Sequence, residues 1–496
     1  MGRICMQLKK ISCILAALTL SVCLQTAANA EETCATVTAN GTQTAYTSFS
    51  DAWNSAVEIG KSSEVTVTLN KDWTADGSGS LGSGAGFKNG ALSYSSSKNL
   101  TLDLNGFAID RNLLKPVSNG AVIYVNSMMT VSDSRSGEYT VSELFKGGAI
   151  CNGSSTSRGG GIVIADGAEL RFNGGTLLNC VSTDDGGGIS ITGANAKLTV
   201  DGGSFYGNRT YDSSGECCGG AIYSSKASVN IKNSTFECNY AEDNGGAIYA
   251  DDGTLTVADS AFYSNSSIEE GGAIFADGSV TTEVRDTLFY GNSSTDDDGG
   301  AVYCDSNSGA RFFDCKMYFN SADDDGGALY VNSEKVFVIG GDFRSNSAGG
   351  SGGGIYVDSL YDINASGKLT VSDNTANGKA NNLCLQDGKA STAYLYCGGF
   401  YEGSSVWLCS TDSDTRLAVR GISKYQYDSY IHFDEGFSSA KINSSTRTDG
   451  NIRAAASAVG DGNIPSICIG IASAAVLTLC TAVIYRKKEK QGGENR

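Results

Sequence analysis

The chain is poor in the residues on which several common chemistries depend. It has 2 prolines and 1 histidine in 496 residues. A nucleophilic triad therefore has a single candidate base, His432, and a histidine-rich metal site cannot form. No Cys-x-x-Cys pair occurs, which argues against a zinc site. Lys and Arg number 36 against 54 Asp and Glu, for a net charge of −18, so we expect no nucleic-acid partner.

Cysteine is present but does not define a framework. An odd number of thiols leaves at least one free or paired between chains. Disulfides would fit an extracellular location, but spacing alone fixes no connectivity. Outside the two termini the cysteines are Cys34, Cys151, Cys180, Cys217, Cys218, Cys238, Cys304, Cys315, Cys384, Cys397 and Cys409.

The N-terminus has the layout of a secretory signal. Arg3 and two lysines precede an apolar run over 11–24, and small residues at Ala-x-Ala spacing follow, ending at Ala30. This order predicts a signal peptide over 1–30 that is cleaved after Ala30. A lipoprotein start at Cys23 is the alternative, and the large Val22 argues against it.

The C-terminus carries a second apolar run, which begins at Ile464, ends at Tyr485 and is followed at once by Arg486. At a rise of ~1.5 Å per residue, a helix over 464–485 reaches ~33 Å, enough for a hydrocarbon core of ~30 Å. Basic residues stay cytoplasmic. The pattern predicts a single-pass membrane anchor with the body outside, a linker over 451–463 and a cytoplasmic tail over 486–496. A buried core helix is the alternative, and no Leu-Pro-x-Thr-Gly sorting motif precedes the run.

Glycine is abundant and regularly placed. Gly-Gly pairs recur at intervals of 27, 33, 26, 26, 28, 27 and 26 residues. A fixed period of this size indicates a solenoid. The pairs begin at Gly159, Gly186, Gly219, Gly245, Gly271, Gly299, Gly326 and Gly352.

Each period reads as β-structure. One unit contains the runs "GAIYA", "TLTVA" and "SAFYS" between Gly246 and Ser264, and no 3.6-residue apolar period is present. Three strands of ~4–5 residues with their turns fill ~26 residues. The sequence therefore predicts an all-β fold, a single-stranded right-handed parallel β-helix in which one unit is one coil.

A second signature precedes most Gly pairs: an aromatic residue, two further residues, then Asn. We expect the rings to stack along the axis and each amide to bond the Asn one coil away, with Asn in the left-handed backbone conformation. The predicted ladder consists of Phe205, Phe236, Phe262, Phe289 and Phe343 with Asn208, Asn239, Asn265, Asn292, Asn320 and Asn346.

The flanks are predicted to close the solenoid. From Ser48, "SFSDAWNSAVE" combines a Ser-x-x-Asp start with one apolar face, which predicts a short helix that caps the core. The predicted organisation is a cap and first coils over 31–145, repeats over 146–378 and irregular closing coils over 379–450.

The combination of Phe-x-x-Asn with Gly-Gly-Ala-Ile resembles the repeat of the chlamydial polymorphic outer-membrane proteins and related adhesin-like proteins. It is carried by "FECNYAEDNGGAIY" from Phe236 and "FYSNSSIEEGGAIF" from Phe262, and it covers about 159–378. The resemblance implies a surface β-helix that binds host or neighbouring cells.

Acidic residues share one offset before the glycines. Stacked on one corner, they would form an acidic ridge whose oxygen atoms suit weak Ca²⁺ binding. The alternative is a set of solvated turns that prevents sticking between molecules. The residues are Asp184, Asp185, Glu242, Asp243, Glu269, Glu270, Asp296, Asp297, Asp298, Asp323, Asp324 and Asp325.

These features predict recognition or adhesion at a cell surface, without a catalytic site or a bound organic cofactor. The unknown ligand would be a protein or a carbohydrate, and we expect contacts from Tyr249, Tyr303, Tyr330 and Tyr356, unless alternation turns these inward. A polysaccharide lyase or glycoside hydrolase on the same scaffold is one alternative. A passive surface stalk is the other.

Overall fold

The computed structural model describes residues 32–435, except 136–139, 143–144, 213–216, 306, 334, 359–361, 387–393 and 411–417. The predicted signal peptide, linker, membrane anchor and tail lie outside the described residues. Within them the two helices are Phe49–Ile59 and Lys424–Tyr430, and neither has the length and apolarity needed to cross a bilayer.

The described chain winds into a parallel β-solenoid of about 11 turns. Most strands pair in parallel with the equivalent strand one coil away, as Ile248 does with Ile274 and Phe236 with Phe262. We call the four strand columns sheets 1 to 4, in chain order after a Gly pair. The all-β parallel solenoid predicted from the glycine period is confirmed.

Sheets 1 and 2 hold the strands that follow the Gly pair. Sheet 1 consists of Ala91–Tyr94, Ile123–Val125, Ile162–Ile164, Ile189–Thr192, Ile222–Ser225, Ile248–Asp251, Ile274–Asp277, Val302–Cys304, Leu329–Val331, Ile355–Val357, Leu383–Leu385, Ser405–Ser410 and Ile431–Phe433, with Phe87–Lys88 as an antiparallel addition. Sheet 2 consists of Ala35–Ala39, Thr42–Tyr46, Val65–Leu69, Leu100–Asp103, Met128–Ser132, Glu169–Asn173, Lys197–Asp201, Ser228–Lys232, Thr254–Ala258, Thr281–Arg285, Gly309–Phe313, Lys335–Arg344, Ile363–Ser372, Tyr394–Phe400 and Ala418–Arg420.

Sheets 3 and 4 complete each coil. Sheet 3 consists of Trp73–Thr74, Ala108–Asp110, Ala149–Cys151, Thr176–Leu178, Ser204–Tyr206, Thr235–Glu237, Ala261–Tyr263, Leu288–Tyr290 and Lys316–Tyr318, and continues in the second halves of Lys335–Arg344 and Ile363–Ser372. Sheet 4 consists of Ser154–Ser155, Val181–Ser182, Arg209–Thr210, Tyr240–Ala241, Ser266–Ser267, Ser293–Ser294, Ser321–Ala322, Ser347–Ala348, Thr375–Ala376 and Lys379–Ala380. A separate hairpin joins Thr140–Ser142 to Phe145–Lys146.

Sheet 4 is a difference from the three-strand prediction. Its strands are two residues long and consist mostly of Ser, Ala and Thr, for example Ser266–Ser267. Such a segment has too few side chains for an apolar alternation to be visible. It is a strand because its backbone pairs with the coils on either side.

The core is formed by the side chains that alternate inward along the strands of sheets 1, 2 and 3. In Thr254–Ala258 the side chains of Leu255 and Val257 are fully buried, while their neighbours face outward. On sheet 3 the inward residue is the ladder aromatic: the ring centroids of Phe236 and Phe262 are 4.7 Å apart with planes 6° from parallel. This separation matches the ~4.8 Å between paired strands, so each ring fully buries its faces against the next.

The Gly pair makes the corner possible. Gly245 has φ of +67°, a conformation that side-chain-bearing residues rarely adopt. A Cβ on Gly246 would lie 2.2 Å from the carbonyl oxygen of Gly272 in the next coil. The first glycine therefore turns the chain and the second lets two coils approach.

The N-terminal end of the core is closed by the predicted helix, which is present as Phe49–Ile59. The Asp51 amide donates to Ser48 Oγ at 3.2 Å, which caps the first turn. Trp53 is fully buried, and its Nε1 donates to the Gly86 carbonyl oxygen at 2.7 Å. Beside it the strand Ala35–Ala39 of a hairpin pairs antiparallel with Val65–Leu69, so the second hairpin strand, Thr42–Tyr46, and not a strand of the first coil forms that edge of sheet 2.

Candidate recognition face and its supporting ladders

The ladder asparagines form a continuous buried column. Asn239 Nδ2 donates to Asn265 Oδ1 at 2.9 Å and to the Phe205 carbonyl oxygen at 3.0 Å. The Asn239 backbone amide donates to the same Oδ1 at 3.1 Å. The pattern repeats through Asn208, Asn239, Asn265, Asn292, Asn320 and Asn346 and continues to Asn374 and Asn382.

One local expectation about the column is wrong. The residue in the left-handed conformation is the one before each Asn, for example Cys238 (φ 54°), Ser264 (φ 50°) and Phe319 (φ 57°). The left-handed residue turns the chain just before the Asn, whose backbone N–H and Nδ2 then both donate to one oxygen in the next coil.

The column ends on a carboxylate. Asp434 is 1% exposed and accepts the backbone amide of Asn382 at 2.8 Å and its Nδ2 at 2.5 Å. Burial raises the pKa of the Asp434 carboxyl, opposed by these two donors.

The acidic corner divides into two positions. The residue next to the Gly pair turns towards the neighbouring coil: Asp298 Oδ1 accepts the Asp325 amide at 2.7 Å, and Asp185 Oδ1 accepts the Cys218 amide at 3.0 Å. In another coil Asn244 takes the same role for the Glu270 amide at 2.8 Å. Four of the twelve predicted ridge residues, Asp185, Glu270, Asp298 and Asp325, occupy this inner position, where a side-chain acceptor can hold two coils together.

The inner carboxyls are hard to ionise. Burial, as the largest cause, raises the pKa of Asp298 to about 8, that of Glu270 to about 7, and those of Asp185 and Asp325 to about 6. Neighbouring carboxylates add to the shift for Asp298 and Glu270. The corner therefore titrates across the neutral pH range.

Two outer carboxylates and one inner carboxyl converge where two acidic triplets are adjacent. One oxygen each of Asp297, Asp298 and Asp324 lies within 4.8 Å of the others. Three carboxylates at this separation suit an oxygen-preferring cation, and Ca²⁺ binding stays a prediction. Some other outer carboxyl groups have protein partners: Asp184 pairs with Arg158 at 3.3 Å, and a hydrogen bond to Asp243 is the largest cause that raises the pKa of Glu269.

The tyrosines expected to contact ligand form a covered second column. Tyr303, Tyr330 and Tyr356 are 7%, 8% and 2% exposed. They point away from the main core, but the glycine corner folds against them: a Cβ on Gly352 would lie 2.6 Å from Tyr356 Cβ. Tyr249 and Phe275 stack in the same column with centroids 5.3 Å apart. The alternation of side chains along a strand predicts that these tyrosines point outward, but not that the glycine corner covers them.

An open aromatic face lies instead on sheet 3, where it was missed. We call it the tyrosine row: Tyr206, Glu237, Tyr263, Tyr290 and Tyr318, which are in register on successive coils and half-buried. Phe319, 56% exposed, lies beside it with its ring centroid 5.2 Å from that of Tyr290. The sequence does indicate this row: its members directly follow the ladder residues, and a strand that buries Phe262 must turn Tyr263 outward.

The described residues bring no recognisable catalytic pair into a groove. A depression of about 400 Å³ at the N-terminal end of sheet 2 is lined by Glu64, Thr66, Asn99 and Thr101 among others, with Glu64 as its one carboxyl group. The ring of His432 lies on Trp407, with centroids 5.0 Å apart. Apart from Cys238, the cysteines in the described part of the chain are buried free thiols.

Comparison with known proteins bears on the repeat. The family model described as the Chlamydia polymorphic membrane protein repeat matches residues 286–305, a segment that contains Phe289, Asn292 and the Gly pair at Gly299. Curated proteins and solved structures gave no match. The chain is thus a parallel β-solenoid with repeats of this type, and the two features fit a surface-exposed protein.

Proposed function

We propose that the protein is a membrane-anchored, right-handed β-helix that acts in adhesion or recognition at the cell surface, with the tyrosine row as its contact surface. The supporting observation is the row itself, four half-buried tyrosine rings on the outer face of one parallel sheet. Tyrosine combines a large apolar ring with a hydroxyl group and is enriched where proteins bind partners.

The rest of each coil supports this face. The buried Phe and Asn columns fix the backbone of sheet 3 from behind, so the outward rings are held at a spacing of one coil. A rigid surface loses little conformational entropy on binding. The membrane anchor, predicted over 464–485, would hold the face outside the cell.

An array experiment tests the proposal. The purified full chain is applied to arrays of glycans and of surface proteins, beside a variant carrying Tyr263→Ser and Tyr290→Ser. We expect binding by the wild type and its loss in the variant. Equal binding by both would reject the tyrosine row as the contact surface.

The same preparation should be incubated with acidic polysaccharides. Release of products together with silent arrays would replace recognition by the polysaccharide-processing alternative. Silence in both assays would favour a passive stalk.

A further inference from the structure

We propose that the occupant of the tyrosine row is a cationic, Lys- or Arg-bearing segment of a partner protein, with Glu237 as the carboxylate that binds its positive charge. The inference deepens the proposed function and rests on it. It starts from the one acidic residue in a row that is otherwise aromatic.

Glu237 lies between two rings. Its strand, Thr235–Glu237, pairs on one side with Ser204–Tyr206 and on the other with Ala261–Tyr263, and the register aligns Tyr206, Glu237 and Tyr263. Strands in a sheet are ~4.8 Å apart, so a cation bound to the carboxylate would also contact a ring face. Carboxylate and ring quadrupole both attract cations.

The described residues supply no counter-charge to the Glu237 carboxylate. Burial is the single cause that raises the pKa of Glu237, and among the described residues no donor or cation lowers it. A half-buried carboxylate without a partner costs stability. Such a group is expected where the partner is supplied from outside.

Other outward carboxylates of the long sheets show the contrast. Glu169 pairs with Arg171 at 2.8 Å and Glu283 with Arg285 at 2.7 Å, each two residues along the same strand. At Glu237 the residues two before and two after are Thr235 and the buried ladder Asn239. The repeat therefore leaves this position without its own cation.

The chain also provides an internal example of the proposed contact. Further along the row, Arg344 lies over the Tyr318 ring, 5.8 Å from its centroid, and bonds Asp342. Cation, ring and carboxylate are thus combined within the chain at one end of the row. At Glu237 two of the three are present.

Charge favours the same occupant. The chain has a net charge of −18, and the acidic corner follows the row by one short strand. A negative field of this kind raises the association rate of cationic partners. It would repel an acidic polysaccharide, which makes a neutral glycan the competing class of ligand.

Binding of defined probes to the full chain tests the proposal at ~0.15 M salt. The probes are a ten-residue peptide of alternating Lys and Ser, its Glu–Ser counterpart, and a neutral oligosaccharide. We expect binding of the lysine peptide, and an affinity about tenfold or more lower in Glu237→Gln, as for loss of a charge-assisted contact. Glu402→Gln, which removes the same charge at an exposed turn, should change the affinity by less than about twofold.

The outcomes separate this proposal from the one it rests on. Equal weakening by Glu237→Gln and Glu402→Gln would mean bulk attraction and overturn the proposal. A third outcome is binding of the neutral glycan that is lost in Tyr263→Ser but kept in Glu237→Gln. It would support the tyrosine row as the contact surface and reject the cationic partner. If no probe or array ligand depends on Tyr263, both fall. An unchanged melting temperature of Glu237→Gln shows that the loss is not unfolding.

Discussion

The two corners of each coil use the same geometry with opposite electrostatic results. At one corner an Asn amide lies over the Asn of the next coil, and donor and acceptor alternate without net charge. At the other, Asp298 and Asp325 occupy equivalent positions, and burial together with neighbouring carboxylates raises the pKa of both groups. Stacking of like side chains therefore stabilises the Asn corner. At the acidic corner the same stacking brings carboxyl groups together and makes the corner sensitive to pH.

The comparison teaches that a repeat amplifies the chemistry of each position. A neutral, self-complementary side chain gains a partner with every coil. A charged one gains a repulsion. Asn244, which replaces an acid at the inner acidic position, shows that an amide can make the same bond to the next coil.

The largest effect is expected from a charge in the amide column. Asn292 is fully buried and its Nδ2 donates to Asn320 Oδ1 at 2.9 Å and to the Phe262 carbonyl oxygen at 3.1 Å. Asn292→Asp removes the two N–H donors and places a carboxylate oxygen against both acceptor oxygens. We therefore expect the free energy of unfolding to fall by about 3 kcal/mol or more. Thermal unfolding and hydrogen exchange measure it.

The matched control is Asn230→Asp on an exposed strand position. It should change the free energy of unfolding by no more than about 0.5 kcal/mol. Similar losses in the two variants would contradict a special role for the column.

A smaller loss is expected when a methyl group separates two coils. In Gly300→Ala the new Cβ would lie 2.3 Å from the Gly327 carbonyl oxygen, so the backbone must shift, at a cost of about 1–3 kcal/mol. Gly309→Ala is the control, because the nearest atom to its Cβ is Lys335 Cβ at 3.8 Å. Equal melting temperatures for the two variants would disprove close approach at the corner.

The acidic corner predicts a pH effect of a few degrees. The folded pKa of Asp298, about 8, exceeds its unfolded value of about 3.9. The folded state therefore holds the proton more tightly, and this stabilisation, complete below pH ~4, is lost as the pH rises towards 8. Asp298→Asn should raise the melting temperature at pH 9 by on the order of a few °C, with little change at pH 5.

Asp323→Asn, at an exposed position of the neighbouring triplet, controls for the change in net charge. A pH profile that is shifted equally by both variants would place the effect in the overall charge and not in the buried carboxyl.

The smallest effect concerns calcium. If Ca²⁺ binds near Asp297, Asp298 and Asp324, millimolar Ca²⁺ at pH 8 should raise the melting temperature by about 1–3 °C. A variant with Asp296, Asp297 and Asp298 changed to Asn should lose the increase, while Mg²⁺ at equal ionic strength controls for screening. The same increase, or the same heat of binding, in wild type and variant would end the hypothesis.

The sequence predicted well what the repeat itself requires. A strict period with identical Phe, Asn and Gly positions implies that like side chains meet, and Phe236, Asn239 and Gly246 lie as that rule demands. The capping helix was visible because Ser48 and the apolar face make local patterns.

What was missed depends on contacts that a period does not encode. Alternation showed that Tyr303 points outward, but not that a glycine corner covers it. The same alternation also places Tyr263 outward, because it follows the inward Phe262 on one strand, but the Phe-x-x-Asn signature contains only the inward residue. The inner role of Asp298 could not be predicted, because the three adjacent aspartates look equivalent in the sequence. Only the side chain of Asp298 accepts a hydrogen bond from the next coil in this way.

The bonds between the column asparagines have one direction, since each Asn donates to the Oδ1 of the next one towards the C-terminus and Asp434 accepts from the last, Asn382. Because a carboxylate carries no N–H group to pass on, the column is not extended beyond Asp434 among the described residues. Whole periods can instead be gained or lost between Asn208 and Asn374 without disturbing the terminator. Evolution can thus adjust the length of the rod, and the reach of the face it carries, by duplicating interior coils.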